Sequence, residues 1–109
     1  GEVKITVPTS VGAIEFLSAA GQSYNLTALP GASLTLTSAT AAIKAASASS
    51  HTISAPVQLS VNSTVEVTGS DLVISGAISG SLGLTKIGTG ILELKGANTY
   101  SGQTNINTG

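Results

Sequence analysis

The chain has a single histidine, His51, which with Asp71 and any of sixteen serines could nominally assemble a Ser-His-Asp set. That chemistry needs a base within hydrogen-bond reach of the nucleophile and an acid that orients the base. With serines this frequent such a coincidence carries no information, and none of them sits in a Gly-x-Ser-x-Gly elbow. His51 lies among Ser49, Ser50 and Thr52 and reads as a solvated turn residue. Paired carboxylates for sugar chemistry would have to come from Glu2, Glu15, Glu66, Asp71 or Glu93. These acids are isolated along a chain without arginine, and Glu15, Glu66 and Glu93 read as outer strand positions that discourage lateral association. Gly88-Thr89-Gly90 begins like a dinucleotide fingerprint, but the place of the third glycine is taken by Glu93 and no helix follows, so it reads as a tight corner. The stretch from Gly83 to Gly88 lacks the Lys-Ser/Thr pair of a phosphate loop, and Lys86 and Lys95 are expected in solvent. Asn25-Leu26-Thr27 and Asn62-Ser63-Thr64 fit the N-glycosylation pattern, as chance matches in a chain with 30 Ser and Thr. Asn62 and Asn98 are expected to brace turns through side-chain bonds to the backbone, and Tyr100 to cover an end of the core. No residue is assigned a catalytic, cofactor-binding or metal-ligating role, and the expectation is no enzyme, no cofactor and no small-molecule substrate.

Composition points the same way. Four Lys, no Arg, five acids and a formal charge of −1, with 8% of residues charged, exclude a nucleic-acid binder driven by phosphate neutralisation. Aromatics are 3% and Cys, Met and Trp are absent, so there is no stacking platform, no disulfide and no Cys-based metal framework. Leu, Ile and Val together number 28, enough for a continuous but slender core in 109 residues. Mean hydropathy is +0.41, yet Ser, Thr and Gly interrupt every run before the roughly 20 apolar residues of a membrane span. Residues 1–20 show no basic start followed by an apolar block and a cleavage site.

The elements that would hold any site are strands. Charges mark a period of two: Lys4 between Val3 and Ile5, Glu15 between Ile14 and Phe16, Glu66 between Val65 and Val67, Glu93 between Leu92 and Leu94. Leu34 to Thr37, Val57 to Val61, Ile74-Ser75 and Leu82 to Thr85 repeat the phase. Pro8, Gly21, Pro30-Gly31, Asn62-Ser63, Gly69-Ser70, Gly80, Gly96 to Asn98 and Ser101-Gly102 punctuate the strands. Residues 38–50 are rich in alanine, but Ile43 is their one large apolar anchor, so a strand and loop is expected there rather than a helix. No Asn-Gly or Asp-Gly occurs, which disfavours hairpins. The doublets Leu72/Ile74, Leu82/Leu84 and Leu92/Leu94 recur ten residues apart, with glycines between. Short strands turned by small residues without hairpins predict an all-β solenoid. At about 20–25 residues per coil it makes roughly 4–5 coils and a rod about 20–25 Å long. Leu34, Leu36, Val65, Val67, Leu72, Ile74, Leu82, Leu84, Leu92 and Leu94 are expected inside.

Residues 80–109 contain Leu84-Thr85-Lys86, Gly88-Thr89-Gly90, Leu92-Glu93-Leu94 and Gly96-Ala97-Asn98-Thr99-Tyr100-Ser101-Gly102-Gln103-Thr104. This series resembles the autotransporter-associated β-strand repeat of passenger regions in bacterial type V secretion; residues 1–50 match only through alternation. The resemblance implies a right-handed parallel β-helix outside a Gram-negative outer membrane, attached in the parent to a C-terminal β-barrel. On this reading residues 1–109 are one solenoid segment excised from a longer passenger, a non-catalytic stalk at the cell surface or secreted. Its partners would be neighbouring coils and that barrel, with a host surface or a second copy as further candidates. Low charge and the absence of Cys suit a chain threaded unfolded through a pore. An adhesin domain that itself contacts a host or glycan surface is the alternative. Strand-like ends without polar caps, at a net charge near zero, predict end-to-end or edge association.

Overall fold

The computed structural model describes residues 2–7, 9–12, 14–16, 23–37, 43–45, 49–69 and 71–107. Among these there is no helix, and fourteen short strands form three parallel sheets. The first sheet holds β1 (Glu2–Ile5), β4 (Asn25–Ala28), β7 (His51–Ile53), β10 (Leu72–Ile74) and β13 (Leu92–Leu94). The second holds β2 (Thr9–Val11), β5 (Leu34–Leu36), β8 (Val57–Leu59) and β11 (Ile78–Ser79). The third holds β3 (Ile14–Phe16), β6 (Ile43–Ala45), β9 (Ser63–Val67), β12 (Leu84–Ile87) and β14 (Thr104–Ile106). Up to β13 consecutive strands visit the three sheets in turn, so the chain winds through four complete three-sided coils, and β13 and β14 give a fifth strands in the first and third sheets only. This is the expected solenoid.

Each strand pairs with the one a full coil away, which is why the absence of hairpin turns matters: parallel neighbours need a long crossover. The ten-residue spacing of the Leu doublets is half of that coil. Leu72 and Ile74 pair with Leu92 and Leu94, 20 residues on. The middle doublet does not form a strand of its own, because Gly83 is a corner and only Leu84 enters β12.

Alternation places one face of every strand inside, and like residues stack from coil to coil. Leu26, Ile53, Ile74 and Leu94 make one column, and Leu34, Val57 and Ile78 another. Of the ten residues expected inside, seven are buried, while Leu82, Leu92 and Leu94 are half-buried against the core beside the last coil. Removing each buried aliphatic side chain from water contributes about 1.5–3 kcal/mol. Ile43 and Ala45 are buried in β6, as the strand expectation requires, and the rest of that expectation, residues 38–42 and 46–48, lies outside the described residues. Gly88 shows what the corners demand: its φ is +90°, and a Cβ there would sit 2.3 Å from the Val67 carbonyl oxygen one coil below.

Candidate functional site

His51 is not a turn residue. It opens β7 with its side chain inward, 1% exposed, stacked on Phe16 with ring centroids 4.6 Å apart and on Tyr24 at 5.6 Å. Nδ1 accepts the Tyr24 backbone N–H at 3.0 Å, which fixes the neutral ring with its proton on Nε2. Burial pulls its pKa below the ordinary 6.5. The available signal was the alternation from Ile53 through Thr52 back to His51; the serines on its other side masked it. Asp71 is near, but it takes part through its backbone, its carbonyl accepting the His51 N–H at 3.1 Å. With Nδ1 accepting the Tyr24 N–H, that nitrogen is not open to take a proton from a serine as a triad base would.

Lys86 is the second correction. It is 4% exposed and shares a register column with the buried Ile43 and Val65 and with the exposed Ile106 of the last strand, in the phase opposite to Thr85 and Ile87. Its alkyl stem packs inside while Nζ donates to the Gly88 carbonyl at 2.7 Å. Lys95 does face solvent, 3.6 Å from Glu93. The acids isolated in sequence are not all isolated in space. Glu15, Lys44 and Glu66 occupy one register column of the third sheet, with Lys44 Nζ 3.9 Å from Glu15 and 3.6 Å from Glu66. The lysine between them prevents the two carboxylates from working as an acid–base pair. Among the described residues no three His, Asp or Glu side chains converge as metal ligands. The Glu2 side chain lies outside what is described.

Asn62 and Asn98 do bind backbone, but that of the neighbouring coil instead of their own turn. Asn62 Oδ1 accepts the Gly83 N–H at 2.8 Å and Asn98 Oδ1 accepts the Ile78 N–H at 2.9 Å, 21 and 20 residues away. Asn25 is exposed and accepts a bond from Ser54 Oγ at 3.0 Å. Tyr100 packs half-buried against the core, as expected, with its hydroxyl bonded to that of Thr104. Asn62, Gly83 and Gln103 on the corner column, with Thr85 and Asn105, line a notch of about 240 Å³. Its lining is neutral and can offer hydrogen bonds to water or to a hydroxyl-rich ligand. It contains no acid, base or nucleophile poised for proton transfer.

Residues 84–109 match the family model of the passenger-associated-transport-repeat. That model describes a repeat of autotransporter passengers, to which these residues are similar. Comparison with curated proteins and with solved structures found no match. The repeat spans one coil and a little more, since its first residue, Leu84, pairs with Thr104. The repeat's polar residues act between coils or fill the core: Lys86 seals the inside of β12 and Asn98 ties the fifth coil to the fourth.

Proposed function

We propose that this chain is a non-catalytic stalk segment of an autotransporter passenger, displayed at or secreted from the surface of a Gram-negative cell. On this reading, coils fold as they emerge, each templated on the one before, and hold adhesive regions away from the membrane. The observation that carries it is the coincidence of the passenger repeat with one complete coil of a parallel solenoid. Its edges and aliphatic core are suited to adding coils in one direction. The absence of a catalytic role is supported by a histidine committed to the core and by carboxylates neutralised by lysine. The test is Leu84→Asp in the full passenger: the amount of protease-resistant passenger at the cell surface should fall several-fold. Unchanged display and unchanged protease resistance would overturn the stalk reading.

A second reading, direct contact with a glycan surface, is favoured by the neutral notch at Gly83. No aromatic ring lines the notch to stack on a sugar. Binding of neutral oligosaccharides by the isolated segment, lost in Thr85→Ala together with Asn105→Ala, would make this reading the better one.

A further inference from the structure

The registers place Tyr24, His51, Leu72 and Leu92 in one column of the first sheet, because Asn25 pairs with Thr52 and His51 with Leu72, which pairs with Leu92. Where the later coils carry leucine, the third carries a titratable ring. That ring is also stacked on Phe16, the last residue of β3, so it touches both the close of the first coil and the approach to the second. Among the described residues no ring stack joins the later coils, which meet through leucines and asparagine bridges.

We infer that the Phe16–His51–Tyr24 stack is an acid-sensitive latch: protonation of His51 releases the first two coils, β1 to β6, while the later coils stay closed. The reason is geometric. A proton on Nδ1 would face the Tyr24 N–H, setting donor against donor where a hydrogen bond was, and would place a cation in a dry aromatic slot. Among the described residues, the titratable groups on the elements around the ring are few. The positive amino terminus adds to burial in lowering the ring's pKa, the Tyr24 phenol lies in the stack, and Asp71 precedes Leu72 and is half-exposed. Glu15, next to Phe16, points outward to Lys44. β4, β7 and β10 carry no other titratable side chain. The direction follows from linkage. A ring that resists protonation when folded binds more protons when released, so opening is favoured as pH falls below 6.5, by at most about tenfold per pH unit for one proton.

Hydrogen exchange of the whole chain between pH 7.5 and 5.5, above the ordinary carboxylate range, tests this after correction for intrinsic exchange. Protection in β1, β4 and β6 should fall with pH while that in β10 and β12 holds. His51→Leu, which installs the residue of the later coils, should abolish the difference. The latch is overturned by uniform protection across this range, or by a loss that persists in His51→Leu. If that variant fails to fold, proton NMR of the native chain decides. A His51 ring titrating at or above 6.5 with the β1–β6 signals intact refutes the latch, and one that titrates below 6.5 together with loss of those signals supports it.

Discussion

The first and last coils share a cross-section but close it differently. At the amino-terminal end the distance along the chain between paired residues is long and irregular: Thr9 pairs with Leu34, 25 residues on, and Ile14 with Ile43, 29 residues on. At the carboxy-terminal end it settles at 21 and then 20, as Ser63 pairs with Leu84 and Leu84 with Thr104. The long coils are held by a histidine stacked on two aromatic rings and by the Glu15–Lys44–Glu66 column. The short ones have glycine corners and asparagines that reach to a neighbouring coil. A 20-residue coil leaves no slack, so a corner such as Gly88 must pass within 2.3 Å, measured from an added Cβ, of the carbonyl below it. A longer coil avoids that demand at a small cost in loop entropy, because closure entropy rises only slowly with length. The long coils also hold most of the aromatics of a 3% aromatic chain, Phe16 and Tyr24, both stacked on His51.

The contrast can be broken most severely in the short coils. Leu84→Asp puts a carboxylate inside the core between Ser63 and Thr104, and it should cost more than about 4 kcal/mol and abolish the cooperative thermal transition seen by circular dichroism. Leu94→Asp should be milder, because Leu94 is only half-buried. His51→Ala empties the aromatic slot of the long coils and should cost about 2–4 kcal/mol in urea unfolding. That is well beyond the effect of losing a solvated histidine, whereas Asp71→Asn should stay within about 1 kcal/mol. Gly88→Ala meets both a positive φ and the Val67 carbonyl, and a loss of about 1–3 kcal/mol is expected from the same measurement. The matching substitution at Gly31, where φ is +85° but nothing lies within 4 Å, should cost less and so isolates the contribution of close stacking. Asn98→Ala removes one bridge and leaves the Ile78 N–H without it, for about 1 kcal/mol. The smallest effect belongs to Lys44→Ala, whose exposed pairs should contribute less than about 1 kcal/mol and fade with added salt.

Much of this protein was legible in order of residues alone. Alternation identified the strands and, with two exceptions, His51 and Lys86, the inward phase, because a strand that puts leucine inside must put its neighbour outside. The lack of hairpin turns and the small corner residues dictated parallel winding, and the series from Leu84 to Thr104 marked a passenger repeat. What escaped was whatever depends on the residue one coil away. The coil length of about 20–25 residues was legible, but not that the doublets ten residues apart mark half a coil, because leucines recur on two sheets of the same turn. Asn62 and Asn98 looked local, but their partners are about 20 residues distant. Lys86 looked solvated because lysine usually is, although its phase between Thr85 and Ile87 pointed inward. His51 shows the limit most clearly. Its neighbours in sequence are serines and a threonine, and its neighbours in space are Phe16, Tyr24 and Leu72. Sequence determined the period and the winding, since both follow from local sterics and side-chain alternation. Tertiary structure alone decided which residues meet across the coils, because that depends on the length of every corner between them.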